Sequence, residues 1–409
     1  MNSFTPVKDQ FGLPAWQDIS ENRFIRIESE VVSDHALTTT EQVWKQIRNV
    51  RSTQQEYGPS NLLSRTWIPS TPLTPTTENT FSVAQFNALA EGLSAGPNVP
   101  TPFTPCLDDD TPSSNNINSN KNPVEMYGGF TSIPHPELIL DFELRKWRLL
   151  EVLLTSDQAD DTTVKPCDLL AVEEMDRFYG FFAPMLRLFG YHGAFCPKRQ
   201  SPGVSMGWYS DGCALFWNQQ VFEVISQRHH GYSVGNQVAL HVVLRHQSSN
   251  RLLVVVVTHL KAKCSAANEM IRMTQLQELL VQIEETIKDV PSKVHDSNQI
   301  PVILLGDFNT DPPATFPSQG ASSLNQLITA SNGCFQSLYP LDSSTHYTTW
   351  KARGSETVKR IIDYIFYRGP VEPVATLEVP EETELEPTKL PGLRYPSDHV
   401  LIAGRFHFL

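Results

Sequence analysis

Basic charge is scarce in this sequence: 32 Lys and Arg stand against 45 Asp and Glu, a formal balance of −13 over 409 residues. So negative a surface repels a phosphate backbone at long range, which argues against indiscriminate nucleic-acid binding unless cations gather in one cleft. Cysteine is sparse as well. The six (Cys106, Cys167, Cys196, Cys213, Cys264, Cys334) include no Cys-x-x-Cys pair and no histidines at ligand spacing. Neither a structural zinc site nor a disulfide framework is expected, and all six are read as core residues in a reducing compartment. No apolar run approaches the roughly 18 residues of a membrane span. Met1–Ile25 carries Lys8, Asp9, Asp18 and Glu21, unlike an apolar secretory leader or an Arg-rich transit peptide. The expectation is a monomeric, soluble cytoplasmic or nuclear protein without membrane contact.

What is present suffices for one large core. Hydrophobic residues make up 40% and charged residues 19%, ordinary for a globular domain, and one α/β domain of about 250–300 residues plus appendages accounts for the length. Residues 1–78, closing on the Pro-rich Pro69–Pro75 stretch, are read as a loosely ordered extension, and 79–409 as the domain. Within it, residues 94–135 carry Pro97, Pro100, Pro102, Pro105 and the acidic run Asp108–Asp110, and are read as a surface insertion. The acidic, proline-bounded stretch 372–391 is expected to be a loop.

Short apolar runs predict strands at Phe81–Gln85, Asp168–Val172, Cys213–Trp217, Val238–Leu244, Leu252–Val257, Val302–Leu305, Tyr364–Tyr367 and Val400–Gly404. Apolar spacing of three and four predicts helices over Leu138–Leu154 and Glu269–Ile287. Together they predict a four-layer α/β sandwich, two packed mixed sheets flanked by helices.

The chemistry lies where the runs stop: Asn87, Glu173-Glu174, Thr258-His259-Leu260-Lys261 and Gly306-Asp307-Phe308-Asn309 follow four strands, while Asp211, Asp363 and Asp398-His399 stand at strand beginnings. Ligand sites of open sheets lie beyond strand ends, so these residues are expected to converge. Carboxylates, amides and imidazoles without thiolates suit a hard, oxygen-seeking cation.

In order along the chain, Val172-Glu173-Glu174-Met175-Asp176, Thr258–Lys261, Gly306–Asn309 and Tyr395-Pro396-Ser397-Asp398-His399 resemble the signatures of the endonuclease/exonuclease/phosphatase superfamily. Cys167–Leu170, Leu188–Gly193, Phe195–Lys198, Asp211–Phe216, Asn236–Ala239, Tyr347–Lys351 and Ile362–Ile365 are similar to its deadenylase-like branch, and within that to nocturnin-like enzymes, from about Thr80 onward. The resemblance implies Mg²⁺, with Mn²⁺ as substitute, held by Glu174 with Asn87 beside it. It implies hydrolysis at phosphorus, either of the 2′-phosphate of NADP⁺ and NADPH or of the poly(A) 3′ tail of RNA. Asp307 is expected to orient the attacking water, Asn309 to hold a phosphoryl oxygen, and His399 to donate to the phosphate, its tautomer fixed by Asp363 or Asp398. His259 is a second phosphate-facing candidate. Lys198, Asn236, Lys261 and Lys263 are expected to contact the dinucleotide, with Lys359 or Arg360 adding a further contact. Lys263 stands where the resemblance implies arginine, so a planar fork is replaced by a point charge. Asp211 is read as a turn residue, and Phe308 and Trp350 as core or site walls. A catalytically silent scaffold is the contrary reading, and the presence of every expected catalytic side chain argues against it.

Overall fold

Leu252–Val257 is an unbroken run of Val and Leu, and such a run makes a strand buried on both faces. In the computed structural model it is the Leu252–His259 strand, every residue of it buried. The structure describes residues 4–8, 14–18, 23–26, 37–70, 79–96, 99, 101–102, 127–157, 165–290, 300–312, 322–329, 335–341, 346–385 and 387–409.

Two mixed sheets form the domain. One has six strands in the order Gln336–Ser337, Asp363–Arg368, Val302–Asp307, Leu252–His259, Val238–His246, Phe222–Gly231. The other has seven, in the order Trp67–Pro69, Val371–Leu377, Ile402–Phe408, Thr80–Asn87, Leu169–Met175, Gly212–Asn218, Tyr191–Pro197. They pack through one apolar layer that includes Phe81, Val83, Leu169 and Ala171 from the seven-stranded sheet and Val255, Val257, Ile303 and Leu305 from the six-stranded one. Helix Ala266–Lys288 covers the outer face of the six-stranded sheet through Leu276, Leu279 and Ile283. Helices Thr40–Gln55 and Phe142–Leu154 cover the other. All eight expected strands and both expected helices lie within or beside these elements, and the layers number four.

Two boundaries differ. The extension expected over 1–78 joins the fold from residue 37: helix Thr40–Gln55 is fixed by a capping box at Thr39 and Gln42 and buries Val43, Ile47 and Val50 in the core. Its apolar residues are few and i, i+4, i+7 apart, a narrow stripe that polar neighbours mask in composition. Trp67–Pro69 then pairs with Val371–Leu377. Residues 372–391 are likewise not all loop, because Val371, Ala375 and Leu377 turn inward on a strand paired with Ile402–Phe408. Most of the 94–135 insertion, including 103–126, falls outside the described residues. Cys106 and Cys334 do too; Cys167, Cys196 and Cys213 are buried, whereas Cys264 is exposed rather than core.

Strand direction places the site. Thr80–Asn87 runs parallel to Leu169–Met175, with Asn87 opposite Glu173. Leu252–His259 runs parallel to Val302–Asp307, with His259 opposite Asp307. Asp363 opens an antiparallel strand directly opposite Asp307, and His399 precedes a strand antiparallel to Thr80–Asn87. Beginnings of antiparallel strands thus meet ends of parallel ones at a single edge of the sandwich.

Candidate active site

Gly306 permits the approach on which the centre depends: a Cβ there would lie 2.0 Å from the Thr258 carbonyl oxygen of the adjacent strand. The next residue, Asp307, is buried. Its Oδ1 accepts from the Asn309 backbone N–H at 2.9 Å and its Oδ2 from Asn87 Nδ2 at 3.1 Å. Asn87 Nδ2 also reaches Glu174 Oε1 at 3.3 Å, and the Ala90 N–H donates to Glu174 Oε2 at 3.1 Å. Glu174 sits in an irregularity of the ladder between Val172 and Met175, at φ 53°. The bulge turns it into the cleft while its neighbour Glu173 stays fully buried. Asn309 is also left-handed, at φ 53°; two non-glycine residues held there mark a backbone shaped for its side chains.

The histidines flank Asp307. His399 Nε2 lies 3.9 Å from Asp307 Oδ2 and His259 Nε2 lies 3.7 Å from the same oxygen. Of the two carboxylates expected to orient His399, Asp363 does so, its Oδ2 2.8 Å from Nδ1. Asp398 is instead taken by Lys351 and Arg353 and stands 4.0 Å from Nε2. Burial disfavours charge on His399, but Asp363 outweighs it and the imidazole is pushed up to about 9. His259 is held well below its ordinary value by burial and by the adjacent Lys198 ammonium. One ring is therefore a cation and the other neutral near pH 7. Asp398 is held well down: burial opposes its charge, and Lys351 and His399 prevail. Burial, and then Asp363, push Asp307 up to about 7.

Among the described residues, Asp307, Asp363 and His399 bring ligand-type atoms within 4.8 Å of one another. The His399–Asp363 hydrogen bond already occupies that trio, and an imidazole is a poor partner for a hard ion. Glu174 and Asp307 offer carboxylate oxygens on either side of the Asn87 amide, whose Nδ2 faces both and whose Oδ1 accepts from the Leu89 N–H at 3.0 Å; with the amide turned over, this carboxylate–amide set is the one that fits Mg²⁺.

The basic residues divide. Lys198 is buried, 2.6 Å from Asp211 and 3.2 Å from His259 Nδ1, so it belongs to the centre's floor and Asp211 is its counter-ion. Arg360 forks onto Asp311 and donates to the Asn309 carbonyl at 3.3 Å; it braces the Asn309 loop instead of awaiting a phosphate. Lys359 pairs with Glu382 at 2.7 Å, and Asn236 donates to the Gln200 carbonyl at 2.8 Å; neither is brought to the centre. The Lys261 and Lys263 side chains have no partner among the described residues, and their loop is tied down by Arg272, which donates to both backbone carbonyls. Phe308 and Trp350 are buried walls.

Gln85 is additional to the residues expected, and Glu173, expected at its strand end without a role, receives one. Gln85 Nε2 donates to Glu173 Oε2 at 2.7 Å and to Asp363 Oδ1 at 3.0 Å, which extends the His399–Asp363 pair inward. Burial and the Asp363 charge push Glu173 well up, toward the neutral acid, relieving the crowding of carboxylates. The signal was available in Gln85: it shares strand parity with the buried Phe81 and Val83.

A profile of the endonuclease/exonuclease/phosphatase family matches residues 116–399. The chain belongs to the endonuclease/exonuclease/phosphatase family, a family of hydrolases. Within the family it is similar to nocturnin of Mus musculus, 32% identical over 281 residues that cover 67% of this chain and 60% of the relative. Nocturnin of Xenopus laevis gives 32% over 281 residues, 67% and 66%. The chain thus spans about three-fifths of the length of mouse nocturnin. The same family fold is seen in the human nocturnin catalytic domain with bound sulfate, at TM-score 0.58 and 24% identity over 85% of this chain and 97% of that one. ANGEL2, a 2′,3′-cyclic phosphatase, gives TM-score 0.58 at 19% identity over 85% and 99%.

Proposed function

We propose that the chain is a Mg²⁺-dependent phosphoesterase that removes the 2′-phosphate of NADP⁺ and NADPH. The observation that carries it is the placing of a carboxylate–amide pair, Glu174 and Asn87, and a charge-holding histidine on two sides of one carboxylate, Asp307. Glu174 and Asn87 would hold the ion, which when bound polarises the ester and stabilises the leaving alkoxide. Asp307 orients water and takes its proton. His399, held cationic by Asp363, donates from Nε2 to a phosphoryl oxygen as charge moves onto it. His259 and Asn309, 3.0 Å apart, bound the opposite wall. The reaction is the one implied by the resemblance to nocturnin-like enzymes. The small-substrate reading is favoured by the cations themselves: of the five expected to make contacts, Lys261 and Lys263 alone are untied among the described residues, enough for a compact dinucleotide and few for a strand of RNA.

The test is product formation from NADPH and from a short oligoadenylate, side by side with Mg²⁺, with Glu174→Gln as control. Phosphate and NADH with intact RNA are expected. Shortened RNA with intact NADPH would transfer the chain to the 3′–5′ exoribonuclease reading, the activity named for the Ccr4 relative of Vairimorpha ceranae, 25% identical over 273 residues.

A further inference from the structure

Away from the centre, a cavity of about 900 Å³ opens between helix Thr40–Gln55, the chain at 61–65 and the C-terminal end of helix Phe142–Leu154. Four arginines line it, Arg48, Arg51, Arg65 and Arg394, against two carboxylates, Glu41 and Glu151. In a chain of formal charge −13 that is a local reversal of sign, and the partners do not cancel it. Arg65 donates to two neutral carbonyls, of Glu378 and Leu401, at 2.7 and 2.6 Å, while its buried Nη2 meets no acceptor. Arg394 reaches only the Asn61 carbonyl at 3.4 Å and Glu384 at 3.5 Å. Arg51 lies 3.1 Å from Glu151, but that carboxylate is already held by Arg148. Arg48 is exposed and has no partner among the described residues.

The remaining wall is apolar and partly aromatic. Leu62 and Val152 face the cavity, as does Trp44, whose ring stands edge-on to Phe189 at 6.3 Å. Guanidinium forks match phosphate oxygens, an indole accepts a base by stacking, and the volume is that of a small-ligand pocket. We propose that this cavity is a second, non-catalytic site that binds a nucleotide, its phosphate on Arg48 and Arg394 and its base against Trp44, with Arg65 adding uncompensated charge to the wall. The two sites are separate. Arg145 on helix Phe142–Leu154 donates to the Ala88 and Leu89 carbonyls beside the centre, whereas Thr155, at the end of the same helix, lines the cavity about 15 Å further along at the rise of an α-helix.

The test is calorimetric titration of adenosine monophosphate into the full chain in the presence of chelator. Binding is expected to weaken by at least about tenfold in the double variant Arg48→Glu/Arg394→Glu, each lost fork contact being charge-assisted, and in Trp44→Ala. It should persist in His399→Ala, and phosphoester turnover of the double variant should stay unchanged. Inorganic phosphate alone should bind more weakly than the monophosphate. The proposal is overturned if no binding is seen, if it survives the double variant, if His399→Ala removes it, or if phosphate binds as tightly. Because the readout is binding without metal, it is independent of which phosphoester the centre hydrolyses.

Discussion

Replacing Asp363 with Asn tests the electrostatic core of the centre, because it removes the charge that holds His399 up to about 9 while keeping the shape of the side chain. Without that charge the ring returns to 6.5 or lower, since burial and the Lys351 charge oppose the cation and outweigh Asp398. At pH 8 the protonated fraction would fall from about 0.9 to about 0.03, a loss near 30-fold or about 2 kcal/mol, at 1.36 kcal/mol per pKa unit. The sign follows from the role: a donor works below its pKa, so wild-type activity should decline as pH rises through about 9, and the variant should lose activity from about 6.5 upward. The assay is kcat/KM for phosphate release across pH 6 to 10 with saturating Mg²⁺. Between pH 6 and pH 8 the ratio of wild-type to variant activity should grow at least about 20-fold, because the wild-type ring stays charged over that interval. A ratio that is large but independent of pH would refute the reasoning, since it would make Asp363 a purely structural partner.

Glu174→Gln should reduce Mg²⁺-dependent turnover at least about 100-fold, the several kcal/mol a metal contributes, while thermal unfolding in chelator is not lowered; retained turnover would remove Glu174 from the metal site. Glu173→Gln should cost less than about 1 kcal/mol in denaturant unfolding, since burial and Asp363 press Glu173 toward the neutral form that an amide mimics; a loss of several kcal/mol would show that the native group is ionised and paired. Arg360→Lys should lower kcat through the Asn309 loop with KM for the dinucleotide unchanged, whereas a raised KM would restore Arg360 as a phosphate contact. Lys359→Ala should leave both parameters unchanged, its partner Glu382 being at the surface, and a raised KM would refute that placing.

The layers of the fold were legible because runs such as Leu252–Val257 and Val302–Leu305 can only be buried strands, and because Glu269–Ile287 repeats at helical spacing. Helix Thr40–Gln55 was not, since four buried residues in sixteen leave a composition dominated by Gln, Arg and Thr. Val371–Leu377 was hidden for a related reason: an edge-side strand with alternate residues half-exposed carries little continuous apolarity. The cations were the least legible. Lys198, Lys359 and Arg360 read alike as exposed charges, and what separates them is long-range pairing with Asp211, Glu382 and Asp311, which no local pattern encodes.

The centre itself obeys a simpler rule than a set of motifs. Side chains alternate along a strand with period two, and Phe81 and Val83, Leu169 and Ala171, Val255 and Val257, Ile303 and Leu305 all point between the sheets. Continuing each column by one step reaches Gln85, Glu173, His259 and Asp307; on the antiparallel strand the step back from Ile365 reaches Asp363. The polar centre is thus the last rung of the inter-sheet core, where apolar pairs give way to hydrogen-bonded ones. That position explains why every one of these five residues is buried and why Glu173 and Asp307 are pushed up and His259 down. It also explains why Glu174 needs a bulge: regular pleating would carry it to the opposite face of the sheet, away from Asp307. A centre built this way depends on the registration of two sheets, so its geometry is set by the packing of Val257 against its neighbours as much as by the catalytic residues themselves.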